Sequence, residues 1–271
     1  MTKVITHLDD ISKIEQKNNG KLIHINGKAT TEEILTDNAF DCKYNALCLM
    51  RNVYYYQWDE VQEEEKHIDK NGKEYKKTRT NHYKGWYTSP INSDNFIYKR
   101  YKNIAPIRMN NDTVFAENVQ VGAFVLNDNQ MTAITKMENA DVELEQQFIN
   151  DFRNSTTQLL GRDVNVEVGN GVVFIGAGSL DNPSIGDIKV RFTIAKPCDV
   201  TITGMQNGNK IESYILKDDS ILDIRQGTLT VEEYLSDIEK TNSYGTWGGR
   251  ISALIFIVWS FFYIFPVFKR K

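Results

Sequence analysis

Cysteine and histidine are scarce in this chain, three and four in 271 residues, and their arrangement excludes several chemistries. Cys42, Cys48 and Cys198 cannot all pair within one chain and show no C-x-x-C spacing. Neither a disulfide framework nor a zinc site is signalled, and they read as small buried residues. His7, His24, His67 and His82 are scattered, with no H-E-x-x-H and no pair at helical ligand spacing, so no metal site is expected. A G-x-S-x-G elbow is absent, and carboxylates are so plentiful that no pair stands out as acid and base. The chain therefore reads as a non-enzyme that needs no cofactor. Its formal net charge of −4 leaves no nucleic-acid footprint. The opening MTKVITHLDDISKIEQKNNG has no apolar run resembling a signal peptide.

What is present is one long uncharged run, Ile251 to Phe268 (ISALIFIVWSFFYIFPVF). Its length of about 18 residues would cross a bilayer's hydrocarbon core as a helix. Tyr244 and Trp247 fall where interfacial aromatics belong, Arg250 marks the entry, and Lys269, Arg270 and Lys271 form a basic exit. The remaining stretch is polar, mildly acidic and rich in Tyr, Phe, Asn, Lys and Ile, with charges of both signs interspersed, as in a globular domain.

Within it, Lys21 to Ala29 alternates apolar Leu22, Ile23 and Ile25 with polar neighbours, then meets Asn26-Gly27, which predicts a strand and a turn. Lys43 to Trp58 is rich in β-forming residues. Asn71-Gly72 is the signature of a two-residue type I′ turn. Centred there, a long hairpin over 54–87 sets Glu64 opposite Arg79, Asp59 opposite Lys84, Ile68 opposite Tyr75 and Tyr56 opposite Tyr87. Weak strand patterns follow at 113–116 and 121–127. Leu144, Phe148, Phe152, Ser155 and Leu159 then fall at helical spacing between a cap at Asn139 or Asp141 and Gly161. Short strands return from Val164 to Lys217, with Asn207-Gly208 marking another hairpin. Thr230 and Glu233 form a capping box, after which Val231, Tyr234, Leu235 and Ile238 line one face of a short helix.

The glycines from Gly169 to Gly178 lack both the spacing and the following helix of a phosphate cradle, and read as strand turns. Lys73, Lys76, Lys77, Arg79 and Lys84, interleaved with Tyr75, Tyr83 and Trp86, would suggest nucleic acid if they stood alone. Glu60, Glu63, Glu64 and Glu65 on the preceding strand make the ribbon nearly neutral, so a solubilising surface is expected. Asn111 and Asn154 head N-x-[ST] sequons, conditional glycosylation sites that matter only in a secretory compartment; the second lies on the predicted helix.

The ordering of segments resembles the transmembrane protein 43 family. The matching residues are Tyr56-Gln-Trp58-Asp-Glu60, Lys84-Gly-Trp86, then Ser89, Ile91, Asn92-Ser93 and Phe96. Val121-Gly122-x-Phe124-x-Leu126, Ile185-Gly-Asp187-Ile-Lys-Val-x-Phe192, Thr230-x-Glu232-Glu233 and Thr246-Trp247-Gly248-x-Arg250 follow in order. The resemblance implies a non-enzymatic membrane protein of the endoplasmic reticulum and inner nuclear membrane, organising membrane protein complexes that include emerin and lamins, and self-associating. Family members carry one span before the large domain and several after it, whereas this chain shows none before and one after. It reads as a reduced member, viral on its Asn, Lys and Ile bias, or as a portion of something longer.

The expected fold is α+β and β-rich: antiparallel strands with a long projecting hairpin, two amphipathic helices and one C-terminal transmembrane helix. Its organisation is a polar segment 1–20, a β-rich region 21–138 with the hairpin 54–87, a helix plus β-rich region 139–245, and a membrane collar, span and basic tail over 246–271. The expected function is a single-pass membrane scaffold of the endoplasmic reticulum or nuclear envelope, or of a host or virion membrane. Its partners are the lipid bilayer, membrane-proximal proteins and a further copy of itself, with no nucleic acid. A cytosolic tail-anchored adaptor and a membrane-anchored hydrolase are the alternatives. The absent signal peptide favours a cytosol-facing domain over the translocated one that the basic tail suggests.

Overall fold

The computed structural model describes residues 5–240 except 69, 71, 105, 106, 217 and 218. In chain order the first strands are β1 (Thr6–His7), β2 (Leu22–Thr30), β3 (Ile34–Asp37), β4 (Cys42–Asn45), β5 (Cys48–Ile68) and β6 (Glu74–Tyr87). There follow β7 (Asp112–Phe115), β8 (Gln120–Val121), β9 (Phe124–Val125), helix α1 (Asp128–Met131), β10 (Glu138–Asn139) and helix α2 (Gln146–Leu160). The last group is β11 (Asn165–Gly169), β12 (Val172–Gly176), β13 (Ile188–Ala195), β14 (Cys198–Asn207), β15 (Lys210–Glu212), β16 (Tyr214–Leu216), β17 (Asp219–Ile221) and β18 (Asp223–Gln226). Residues 231–240 close the described chain as helix α3.

These elements form two compact units, each assembled from separated stretches. Of the described residues, the first takes those up to 29, 120–126 and those from 198 to 240. Its sheet runs β1-β2-β8-β9-β15-β14-β18, with β2 also paired antiparallel to β14 from Leu22↔Met205 to Ala29↔Cys198. Two of its pairings, β1 with β2 and β9 with β15, are parallel. Ile23, Ile25, Val121, Phe124, Val200, Ile202 and Ile211 are buried in its core.

Asn26-Gly27 lies inside β2 and makes no turn. The reason is tertiary. A Cβ on Gly27 would stand 2.6 Å from Ile11 Cδ1 and 2.8 Å from Val121 Cγ1, so glycine serves close approach at this place.

The second unit takes 30–119 and 127–197. Its main sheet runs β11-β12-β13-β5-β6, with β10 beside β13 and β7 beside β5. Buried Phe40 joins Phe152 of α2, at 5.4 Å between rings, to Phe192 of β13 at 5.6 Å. Inside this unit Arg51 Nη1 meets Asp37 Oδ2 at 2.5 Å, and the other Asp37 oxygen accepts the Ala39 and Phe40 amides. The Gly-rich run is strand and turn, as its spacing predicts: Asn170 (φ 52°) and Gly171 (φ 69°) join β11 to β12 with the two positive φ angles of a type I′ turn.

The hairpin exists, but in another register. β5 ends at Ile68 and β6 begins at Glu74, so residues 69–73 connect them in place of a two-residue Asn71-Gly72 turn. Trp58 consequently faces Lys84, Glu63 faces Arg79 and Tyr55 faces Tyr87, one residue away from each expected pair. Helix α2 starts at Gln146 and not at Asn139 or Asp141, because Glu138–Asn139 pairs with β13.

The expected fold class is corrected to a β-rich fold of mixed parallel and antiparallel sheets with short helices. Among the described residues no helix is long and apolar enough to cross a membrane. Helix α2, with 15 residues, spans about 22 Å against a hydrocarbon core of about 30 Å, and it carries Asp151 and Arg153. On that finding the single-pass placement, the bilayer as partner, and the assignments to the endoplasmic reticulum, nuclear envelope or a host or virion membrane are withdrawn. The expected span 251–268, with its collar and basic tail, lies outside the described residues.

Candidate protein-association surface

In the second unit β5 is the axis. Its first half lies between β13 and β7, and its second half pairs, among the described residues, with β6 alone. The edge left when β13 ends is closed stepwise by other groups. Tyr56 donates its amide to Asp187 O (2.8 Å) and accepts Gly186 N (2.9 Å). At the next outward position the Asn103 side chain imitates a strand, accepting Trp58 N–H through Oδ1 (2.7 Å) and donating Nδ2 to Trp58 O (2.9 Å). Asp187 is itself fully buried, its carboxylate accepting the amides of Ala177, Gly178 and Ser184. On the opposite edge, between β7 and β6, Asn111 Oδ1 accepts Val53 N–H at 2.8 Å.

Segment 89–104 lies over the even-numbered face of the hairpin root. Glu60 and His82, directly opposite in the ladder, pair at 2.8 Å with only 5% and 6% of their side chains exposed. The His82 ring stacks on Tyr101 at 3.8 Å and meets Tyr98 and Phe96 edge-on, while the Glu60 carboxylate accepts the Ile97 and Tyr98 amides. Burial pushes the Glu60 carboxyl up, but the Ile97 amide, His82 and the Tyr98 amide outweigh it and hold it below the usual carboxylate range. No spacing rule in sequence announces this pair; only the true register places 60 opposite 82.

Nearer the sheet the same face carries Tyr54, Tyr56 and Trp86, half-buried, with Lys189 Nζ 4.6 Å from the Trp86 ring and 5.4 Å from Tyr54. Burial, and then Arg191 nearby, pulls the Lys189 amine below its ordinary value. Beside segment 89–104 an open pocket of about 640 Å³ is lined by Ile91, Asn92, Ser93, Asp94, Lys102, Asn103 and Ile104. It carries one carboxylate and one amine, not the two carboxyls of an acid–base pair.

Farther out the ribbon is polar on both faces. Lys76 pairs with Glu64 at 2.6 Å and Arg79 with Glu65 at 3.8 Å, which neutralises the basic cluster from within. Asn111 is exposed ahead of β7; Asn154 is exposed on α2, with Thr156 of its sequon buried. Cys42 and Cys48 are buried free thiols, each pushed up to about 11 by burial, and Cys198 is half-buried. Among the described residues no group of His, Cys, Asp and Glu is arranged to hold a metal ion.

The first unit has its own polar layer, which histidine counting missed. His24 is fully buried, with Nδ1 2.9 Å from Thr203 Oγ1 and Nε2 2.9 Å from Leu229 O, so the Nε2–H tautomer donates to the carbonyl. Asn26 Nδ2 also donates to Leu229 O (2.9 Å), and Leu229 N donates to Thr201 Oγ1 (2.9 Å). Thr230 and Glu233 then form the expected capping box of α3, at 2.8 and 3.2 Å. Tyr234 of α3, buried, lies 5.6 Å from the His24 ring, and Arg225 bonds Asp237 at 3.3 Å.

A profile of the family described as Transmembrane protein 43 matches residues 55–270. The mouse Transmembrane protein 43 is 29% identical over 255 residues, covering 89% of this chain and 60% of the relative. The human protein of that name is 26% identical over the same coverage, and the Drosophila melanogaster homolog 24% identical over 244 residues. The chain thus spans about 60% of the length of the curated relatives it matches. No solved structure matches. The matched stretch begins within β5 and takes in the hairpin, segment 89–104, Asp187 and the α3 cap, so the chain belongs to the transmembrane protein 43 family.

Proposed function

We propose that this chain is a non-catalytic adaptor that binds other proteins through the β5–β6 ribbon. Family membership agrees with the absence of an enzymatic reading. The observation that carries the proposal is the ribbon itself: beyond Trp58 its two strands pair only with each other among the described residues, leaving backbone donors and acceptors on both outer edges. Such edges bind extended chains by adding a strand. The buried Glu60–His82 pair and segment 89–104 stiffen the root, so a partner meets a preformed template.

The test excises residues 62–80, joining Val61 to Asn81 by an Asn-Gly turn, and compares proteins recovered by quantitative affinity purification with the intact and shortened chains. Partners present with the intact chain and lost with the shortened one support the reading; an unchanged set overturns it.

Of the two sequons, Asn111 is proposed as the acceptor in a secretory compartment. Its glycosylated nitrogen is distinct from the Oδ1 that holds Val53, whereas Asn154 sits within a formed helix. A glycosidase-sensitive mass shift that survives Asn154→Gln and vanishes in Asn111→Gln is the expected result.

A further inference from the structure

The two edges of the ribbon are not equally open, and the open one is basic. Resting on the adaptor reading, we infer that the outer edge of β6 takes, as an added strand, an extended segment of a partner protein in which acidic residues alternate with neutral ones.

Tyr56 and Trp58 turn their amides away from β6, toward Asp187 and Asn103, so in each pair of even-numbered residues the backbone groups point outward on both strands. On β5 those two positions are closed, and the Glu60 side chain beside them accepts the amides of segment 89–104. On β6 the outward groups from Trp86 through Lys84, His82, Thr80 and Thr78 to Lys76 have no backbone partner among the described residues. The longer free template is therefore β6.

Side chains alternate between the two faces of that edge. One face carries Tyr75, Lys77, Arg79, Asn81 and Tyr83 in a row, with the cations inside it and a tyrosine at each end, 50% and 52% exposed. Lys77 stands opposite Glu65, but that carboxylate turns to His67 at 3.2 Å and to Arg79 at 3.8 Å. Lys77 is left with no acidic partner among the described residues, and Arg79 is held only at long range. Counting both faces, the outer half of β6 carries Lys76, Lys77 and Arg79 against Glu74 alone.

Lysines on an edge keep neutral and basic strands away. A strand with carboxylates opposite Lys77 and Arg79 meets the reverse sign: the cations then lie between the glutamates of β5 and those of the newcomer, while aromatic or β-branched residues opposite Tyr75 and Tyr83 complete the row. Charge selects the partner, and the backbone bonds hold it.

The probe is a fluorescent peptide, YTETETETY, which reads the same in both directions and so sets glutamates opposite Lys77 and Arg79 whichever way it runs. Anisotropy titrations with the full chain should show saturable binding, and the matched peptide YTKTKTKTY should bind about tenfold more weakly. Lys77→Gln with Arg79→Gln should erase the difference between the two. Thr78→Pro removes one outward amide and no charge, so it should abolish binding of the acidic peptide.

Should proline unfold the strand, the acidic peptide with every backbone amide N-methylated asks the same question of the unaltered chain. It keeps its charge, donates no backbone hydrogen bond and should not bind. Equal binding of the acidic and basic peptides, binding that survives Thr78→Pro or N-methylation, or no binding at all overturns the inference; the last is also the result if another segment already fills the edge. If the acidic peptide fails while excision of 62–80 still removes captured proteins, this inference falls and the adaptor reading stands.

Discussion

At the scale of single residues, both units hold a buried polar group in its deprotonated form, one a neutral imidazole and the other a carboxylate. Burial pulls His24 below the ordinary imidazole value of 6.5, and the Leu229 carbonyl only partly offsets it. The unfolded chain therefore binds this proton at higher pH than the folded one, so the stabilisation is full above about pH 6.5 and is lost as pH falls toward the folded value. Amide protection in β2 and β14 should weaken progressively as pH falls below about 6.5, and His24→Gln should flatten that dependence. Glu60 is held below its ordinary 4.5, so its share in the second unit persists above that pH and is lost only in stronger acid. Asp37 matters as the partner of a buried charge: Asp37→Ala leaves Arg51 buried without its closest carboxylate and should cost about 3–5 kcal/mol in chemical denaturation, whereas an effect below about 1 kcal/mol would mean that Asp112, 3.7 Å away, takes over.

At the scale of elements, what was legible in sequence was what is local. The Thr230–Glu233 box, the helical spacing around Phe148 and Phe152, and the alternation of the hairpin strands depend on neighbours a few residues away, so they could be read. Asn26-Gly27 misled because the same dipeptide serves a turn or a close approach, and only the distant Ile11 and Val121 decide. The ribbon register misled for a similar reason: Asn71-Gly72 predicts a two-residue turn, but the strands end at Ile68 and resume at Glu74, which shifts every pair by one. Of the candidate surface, the acidic and basic strands were legible, while the Glu60–His82 pair and the Asn103 closure were not. A double-mutant cycle distinguishes the registers. Glu64 and Lys76 should couple by up to about 1 kcal/mol, and Glu64 and Arg79 should not couple measurably. The reverse result would restore the two-residue turn.

At the scale of the whole molecule, the chain visits the first unit three times and the second twice. β2 finds its long partner β14 only after some 170 intervening residues are made, a non-local pairing that slows folding. A chain stopped at residue 197 keeps every stretch of the second unit and loses β14, β15 and β18 from the first. Hydrogen exchange on that fragment should find β5 and β13 still protected and β2 exchanging freely. Protection of β2 without β14 would show that β1 and β8 suffice to hold it.

The His24 layer has a mechanical meaning as well. Helix α3 is fastened to its sheet through Tyr234 and Asp237, and the loop before it through side-chain bonds from His24, Asn26 and Thr201 to a few backbone atoms. A pull entering at residue 240 therefore reaches these fastenings one after another, like a seam opened from its end, before it reaches the β14–β18 ladder. Pulling a single molecule from residue 240 should therefore release α3 as a small extension before the main unfolding event; release of helix and sheet together would mean that the layer is no weaker than the ladder beneath it.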